Sequence, residues 1–566
     1  MTGFVLALAL LTYAAGLLVP IMEPDAAAYA EIAREMVSRG DFFTITYRLA
    51  DYLDKPHFPF WCSALAYLLL GINTVAYKLP GILFALLGAW YTYRLGAELY
   101  SKRVGTWAAL MLLASQHFIF SNNDVRAEPF LIGLIMLTFY HLLKYSQTYT
   151  FKHLFWGCLG AAGALMTKGL FTVIPVATGL LGGLALQKKW RRIFDWHWLI
   201  VVVLVLLFTL PVLWAYYSQF DAQPEKAVEV GAWGTGTHVS GVKFFLWDSQ
   251  FGRFLNVGPI RGEGNPAFFF HTLLWAFLPW GFLFYAALIS KFRWDLGKKR
   301  ERPGMGEGRE WFTLWAALPM FVIFSLSRFQ LPHYLNILFP FFALLVAGYL
   351  AHPKMSLKTL RRWDRFQLLL VILVVVGTVL FLIFFKPKFF GWETVFVVVI
   401  SGVLLFLTYF RQRSYLKRIL YGGALVVLAV NFLMNRAFFP ELMTYQAGQR
   451  AAAFLKAEKL EQEPLVALGM VSASLDFYLG KVVPYMSLDE IAASTYFPLL
   501  VYTGKPGMNS IKAKGLFVQV LAEFQDFPVT KLNRDFIRPE TREKEVLKVF
   551  ILKVFTETSR RTDSEK

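Results

Sequence analysis

Disulfide chemistry has almost nothing to work with in this chain. Cys62 and Cys158 are the only cysteines in 566 residues. Both sit in apolar surroundings and form neither a CxxC pair nor a disulfide framework. Charge is also scarce, with Asp, Glu, Lys and Arg at 17% of the residues. The motifs of the common soluble enzymes are missing: there is no G-x-S-x-G, no H-E-x-x-H, no Walker A loop and no G-x-G-x-x-G on a strand. These absences argue against an ATP-driven pump. The formal charge of +19 invites a nucleic-acid reading, yet no compact basic motif supports one.

What the chain has instead is apolar length. It is 57% hydrophobic and 17% aromatic, with a mean hydropathy of +0.48. The excess comes as runs of about 17–23 residues, the length that spans a bilayer as helix. Spans are expected near 4–20, 75–95, 104–120, 129–143, 153–167, 170–187, 197–217, 268–289, 311–327, 331–350, 367–385, 392–410 and 416–434. The run 4–20 has no basic residue before it and no small-residue cleavage site after it, so it reads as a retained span rather than a signal peptide. The apolar segment 60–71 is too short to cross and suits an interfacial or re-entrant helix. The fold class expected is therefore an all-α polytopic membrane protein with about thirteen spans over 1–435, followed by a small soluble α/β domain over 436–566.

Loop charge orients the bundle. With the N-terminus inside, Lys102/Arg103, Lys144/Lys152, Lys188–Arg192, Lys291–Arg309, Lys354–Arg365 and Arg411–Arg418 all fall in inner loops, the positive-inside pattern. Counting 60–71 as a span would invert every later loop. The segments 21–60 and 218–267 and the C-terminal domain then share the outer face. Loop 218–267 is rich in glycine and shows no strand ladder. It reads either as a mobile loop that orders over a site or as a plain connector.

In the tail, Gln446–Glu458 reads as an amphipathic helix. Pro464–Leu468, Val482–Met486, Pro498–Tyr502 and Val546–Val554 read as strands. The segment GKPGMNSIKAKG reads as a loop, not a phosphate cradle.

The stretch Glu23–Trp61 draws the eye, being polar and charged between membrane segments. Asp25 precedes a helix expected over Ala26–Val37, with Tyr29, Ile32, Ala33 and Met36 on one face. It is either an N-cap or a carboxylate at the membrane surface serving as base or metal ligand. Asp54-Lys55-Pro56-His57 is either a solvated turn or a charged group pinned to the interface by the apolar Phe58–Leu70, where a lysine suits a lipid phosphate. A third cluster holds Asn122, Asn123, Asp124, Arg126 and Glu128. Arg126 neutralises its neighbours on the plain reading, while a carboxylate at membrane depth such as Glu128 is a functional suspect. Lys168, which also has the option of snorkelling, joins Arg253, Arg328 and His333 as an outer basic set suited to phosphate.

At these residues the chain resembles the polyprenyl-phosphate-sugar glycosyltransferases of the GT-C type. The branch it is most similar to is the bacterial aminoarabinose transferases that modify lipid A, relatives of the protein O-mannosyltransferases. The first-loop pattern is matched by Asp25, Tyr29–Ile32 and Arg34–Met36, and Glu-Lys-Pro by Asp54-Lys55-Pro56. Leu-Thr-Lys-Gly is matched by Met166-Thr167-Lys168-Gly169, and the Pro-Trp after the long outer loop by Pro279-Trp280. Phe-Ser-x-Ser-x-x-x-Leu-Pro-x-Tyr is matched by Phe324, Ser325, Ser327, Leu331, Pro332 and Tyr334. The chain departs from the pattern at Ala26–Ala28, where an acidic residue and an arginine commonly follow the first aspartate.

The resemblance implies an inner-membrane enzyme that moves a sugar from a polyprenyl (undecaprenyl) phosphate donor to a lipid A or protein acceptor at the periplasmic face. Asp25, with Glu128 or Asp124, would be catalytic. Lys55, Arg253, Lys168 and Arg328 would bind the donor phosphate. Tyr29, His57, His333 and Tyr334 would line the substrate, and Asp54 would be the ligand of any divalent metal ion. The alternative is a transporter or flippase of lipid-linked sugars, which inverted repeats would favour; no such repeat is visible.

Overall fold

The computed structural model describes residues 1–229, 235–254, 262–296, 310–388 and 391–557. Among them, seven helices are long and apolar enough to cross a membrane, or nine if two bent pairs each count as one span. Four shorter apolar helices add to these: Thr2–Leu17 (α1), Phe58–Leu70, Leu170–Leu186 and Phe312–Leu326. Every span expected from the sequence falls on helical chain.

Two of them are broken. Lys102–Leu113 and Gln116–Asn123 meet at 53°, and Phe268–Ala276 meets the helix beginning at Gly281 at 120°. The second break falls at Leu278-Pro279-Trp280. Pro279 has no N–H to continue the helical ladder, and the Trp280 indole donates instead to the Met111 carbonyl at 3.0 Å.

Burial separates hub from rim. Glu128–Thr148 is 94% buried over its most apolar window, whereas Leu357–Phe385 is 11% buried and presents its apolar residues outward. Close approach at the hub relies on small residues, as lipid-solvated bundles do. A Cβ on Gly96 would lie 2.6 Å from the Cα of Gly105, so Thr74–Leu99 and Lys102–Leu113 pack almost backbone to backbone.

Phe58–Leu70 does not cross the bundle. Its Tyr67 packs against Phe477 at 6.2 Å. The Thr74 hydroxyl just after it lies 3.0 Å from the Tyr478 hydroxyl. Both residues on the partner side belong to the C-terminal domain, while near the other end of the helix the Trp61 indole donates to the Phe42 carbonyl of the first loop at 2.6 Å, so both ends of the short helix are tied to segments outside the bundle. The same domain meets the first loop through Arg48 and Asp476, and loop 218–267 reaches that loop through Gln219 and Lys226 on Asp51. The three segments expected to share a face therefore do so.

The C-terminal sheet has four strands in the order Leu465–Leu468, Leu499–Gly504, Leu547–Phe555, Phe517–Asp526; the first pair is parallel and the others antiparallel. Four expectations need correction. Val482–Met486 is no strand, touching the sheet only through an isolated bridge between Ala467 and Tyr485. The GKPGMNSIKAKG segment is not a loop: strand Leu499–Gly504 runs directly into helix Lys505–Ala513. Strand Phe517–Asp526 was not foreseen because it lies at the sheet edge, and its mixed sequence carries Gln519, Glu523 and Gln525 to solvent. In loop 218–267 a two-residue pairing, Val228–Glu229 with Thr235–Gly236, is present where no strand was expected.

Candidate active site

The first-loop helix runs Asp25–Arg39 (α2). Asp25 is its first helical residue and not its cap, which corrects the capping option. Pro24 already has helical dihedrals, and no side chain caps the helix. Backbone carbonyls do that work, with Ala27 N bonding Met22 O and Ala28 N bonding Pro24 O, both at 3.1 Å. The Asp25 carboxylate is thereby released. It is half exposed, and its Oδ2 lies 3.5 Å from Arg126 Nη1.

Arg126 sits in the turn before helix Glu128–Thr148. Val125, a β-branched residue at φ 41°, turns the chain there, a strained conformation for such a side chain. Arg126 Nε also donates to the buried Asp124 at 2.6 Å. Burial alone would pull the guanidinium pKa down, but Asp124, Glu128 and Asp25 raise it above its usual value. Asp124 thus stands behind Arg126, and Arg126 links it to Asp25.

A second pair closes the membrane side. Lys168 ends helix Phe151–Lys168 and donates to the buried Glu128 at 2.5 Å. His333 Nε2 lies 3.9 Å from the same carboxylate. The ammonium also sits 4.8 Å from the Tyr334 ring centroid, a cation–π distance. Gly169 then turns the chain away at φ 91°, with the Gln250 amide so close that a Cβ would meet it at 2.1 Å. Lys55 donates to Asp54 at 2.5 Å on the facing wall.

Two cavities meet at these groups. The larger, about 480 Å³, is an apolar groove whose walls include Phe171, Ile174, Phe245, Phe251, Met320 and Phe324. The smaller, about 100 Å³, is lined by Asp25, Tyr29, Arg126, Glu128 and His333. Lys55, Lys168 and Tyr334 line both. Burial pushes the Tyr29 phenol well above its usual range, so it is a donor there and not a base.

Of the residues singled out from sequence, Asp25, Tyr29, Lys55, Glu128, Lys168, His333 and Tyr334 come together around the smaller cavity, and Asp54 lines the groove. Others do not. His57 lines neither cavity: it is fully buried, its ring Nε2 bonds the Phe43 carbonyl at 2.8 Å, and it meets Tyr216 edge-on at 5.2 Å. Arg328 is exposed and lines neither cavity; its backbone packs against Gly262 and Gly264. Arg253 lies on helix Ser249–Phe254, and its side chain is outside the described residues. Asp54 is engaged by Lys55, and among the described residues no three His, Cys, Asp or Glu side chains converge to hold a metal ion.

Sequence reasoning missed Lys78. This buried lysine lies inside helix Thr74–Leu99 and donates to the Gly16 and Val19 carbonyls at the end of α1, at 3.2 and 2.6 Å. A lysine within an apolar span was the available signal.

Known proteins are similar to this chain in sequence and in fold. The family described as dolichyl-phosphate-mannose-protein mannosyltransferase matches residues 54–214. An undecaprenyl phosphate-alpha-4-amino-4-deoxy-L-arabinose arabinosyl transferase from Shewanella sediminis is 26% identical over 325 residues, 56% of this chain and 53% of that protein. A transferase of the same name from Proteus mirabilis is 26% identical over 385 residues, 66% of this chain and 64% of that one. The chain thus spans about half the length of the first curated relatives it matches. The crystal structure of ArnT from Cupriavidus metallidurans bound to undecaprenyl phosphate superposes with a TM-score of 0.73, 19% identity and 97% of both chains covered, a likeness of fold. By matched sequence over part of its length, and by fold over nearly all of it, the chain is similar to undecaprenyl phosphate-alpha-4-amino-4-deoxy-L-arabinose arabinosyl transferases and to ArnT.

Proposed function

We propose that this protein transfers a sugar from a polyprenyl-phosphate carrier, undecaprenyl phosphate in kind, to a lipid A or protein acceptor at the end of the bundle that carries the C-terminal domain. The observation that carries the reading is the position of Lys55 and Lys168 at the seam between an apolar groove and a polar pocket. A lipid-linked sugar has the same order of parts: an apolar chain, a phosphate, then a polar ring. In this reading the groove takes the first isoprene units. Lys168 gives one N–H to Glu128 and has two further donors to offer, and Lys55 faces it. Together they hold the phosphate and stabilise it as it leaves.

The sugar then occupies the pocket beside Asp25, Tyr29 and His333. As the glycosidic bond breaks, positive charge grows on the sugar carbon, and the Asp25 carboxylate is the negative group on the exposed side of that pocket. Asp25 orients the acceptor, and for a hydroxyl acceptor it also takes the proton; a phosphate acceptor is already ionised and needs no base. Arg126 keeps Asp25 aimed. Glu128, held by Lys168, serves to fix that lysine and is not placed as the base. The periplasmic face of the inner membrane is the side we assign to the site, on the positive-inside pattern that the sequence shows for the loops Lys102/Arg103, Lys188–Arg192 and Arg411–Arg418.

The test is mass spectrometry of lipid A and envelope glycoproteins from cells with and without the protein, paired with purified protein in vesicles holding an undecaprenyl-phosphate-linked sugar. A sugar-sized mass gain on an acceptor, with release of the carrier phosphate, is expected. Transbilayer movement of an intact donor with no acceptor modified would overturn the reading in favour of a flippase.

A further inference from the structure

Asp25 has no side-chain partner among the described residues except Arg126. Its position therefore depends on the backbone that leads into it, and that backbone is held from outside the bundle. Ile21 and Glu23, on either side of Met22, make five hydrogen bonds with the C-terminal domain. Ile21 N donates to Tyr478 Oη at 2.9 Å, and Ile21 O accepts from Gln446 Nε2 at 2.9 Å. Glu23 N donates to Gln446 Oε1 at 2.9 Å. The Glu23 carboxylate accepts from the Ser472 hydroxyl and from Ser474 N, both at 2.7 Å through Oε1. One amide, Gln446, thus clamps the chain on both sides of Met22 as a neighbouring strand would.

The grip is tightly built. Ile21, Met22, Gln446, Ser472 and Ser474 are buried. A Cβ on Gly448 would meet Ser472 Oγ at 1.9 Å and Leu475 N at 2.9 Å, so helix Ala447–Ala457 is pressed against the serines that hold Glu23. Met22 also packs into an apolar cluster with Phe438, Phe439 and Leu442, which lead into the domain. Elsewhere the domain meets α2 through Arg34 Nη1, which donates to Gly480 O at 2.9 Å, and the loop beyond α2 through Arg48 Nη2, which donates to Val483 O at 2.6 Å. These more distant ties fix the helix as a whole. The contacts at Ile21 and Glu23 lie within four residues of Asp25 and fix its entry.

We propose that Glu23 and Gln446 are positioning residues through which the C-terminal domain sets where Asp25 stands against Arg126. The inference rests on the reading of Asp25 as the group that acts on the acceptor. The physical argument is one of tolerance: a displacement of about 1 Å at a reacting group costs about 100-fold in rate, and a loop with no tether wanders further than that. Among the described residues the domain contributes no side chain to either cavity, so its effect on the reaction passes through its contacts with the first loop, and those at Ile21 and Glu23 lie nearest Asp25.

The experiment uses the full-length protein in vesicles with three variants: Gln446→Ala, Glu23→Ala and Glu23→Gln. The glutamine keeps an oxygen that accepts from Ser472 and Ser474, so Glu23→Gln is the conservative rescue. Gln446→Ala and Glu23→Ala are expected to lower kcat about 10- to 100-fold, with KM for the lipid-linked donor within about two-fold. Glu23→Gln should stay near wild type. A purely structural role would lower the melting temperature and leave kcat of the folded fraction unchanged, and that result would overturn the proposal.

A second arm needs no turnover. In a chain with Cys62 and Cys158 replaced by alanine, Asp25→Cys with Arg126→Cys is oxidised, and the rate of disulfide formation reports how closely the two positions are held. Adding Gln446→Ala should slow that rate several-fold; an unchanged rate would sink the latch. A wild type that transfers no sugar would fail the functional reading, and the crosslinking arm would still decide whether the domain sets the position of Asp25.

Discussion

Arg126 joins Asp25 to Asp124, with its Nη1 3.5 Å from the first carboxylate and its Nε 2.6 Å from the second. Asp25 is half exposed and Asp124 buried, so the arginine carries the order of the interior out to the exposed carboxylate at the pocket.

Asp25→Asn follows from this. The residue caps nothing, so the variant should melt close to wild type. Loss of the charge should remove the contribution of a positioned base, about 10²–10⁴-fold in turnover with a hydroxyl acceptor. Transfer kinetics beside a thermal melt decide it; full activity in the folded variant would move the search to Glu128 and Asp124.

Lys55→Ala should weaken binding of undecaprenyl phosphate by about 1.5–3 kcal/mol, the worth of a charge-assisted contact, while the fold survives. Binding titration in nanodiscs gives the number. Equal affinity in wild type and variant would remove Lys55 from the phosphate site.

Lys168 and Glu128 should behave as a unit for stability. Lys168→Ala leaves a buried carboxylate without its partner, which costs about 3–5 kcal/mol. Lys168→Met combined with Glu128→Leu should recover most of that stability and none of the donor binding. Denaturation of the two proteins, read beside donor titration, separates the structural from the binding share.

His57 predicts an acid limit. Burial holds its imidazole down at about 4, against an ordinary 6.5. The unfolded chain then binds a proton that the folded chain refuses between those values. The stability from the neutral ring is complete above about pH 6.5 and is lost as pH falls toward 4, on the order of 3 kcal/mol in all. Unfolding measured from pH 7 to pH 4 should show that slope, and His57→Asn should flatten it.

The C-terminal domain and the first loop should report the same side of the membrane. A reporter fused at the C-terminus and a thiol reagent aimed at a cysteine placed at Leu49, which is 68% exposed, should both register outside the cytoplasm. Opposite sides would contradict the contact between Arg48 and Asp476.

The spans were legible in the sequence because bilayer thickness sets the length of an apolar helix, and the runs 75–95, 197–217 and 392–410 state that length without help from any partner. Charged residues stranded beside such runs, Asp25, Lys55 and Lys168, marked the site for the same reason: water and lipid price a charge so differently that its placement is informative by itself. Three of the four expected strands followed from local alternation. What remained hidden depends on partners far away in the chain. Lys168 and Glu128 are 40 residues apart, and Arg48 and Asp476 are 428. Neither pairing has a local signature. His57 looked like a site residue beside Lys55, and only packing against Tyr216 and the Phe43 carbonyl turned it inward. Asp25 looked like a helix cap, and the dihedrals of Pro24 with the carbonyl of Met22 took that task away. Composition and period are local quantities and fix elements; which charge faces which is settled only when the elements pack, because a buried charge is stable only where the tertiary fold brings it a partner.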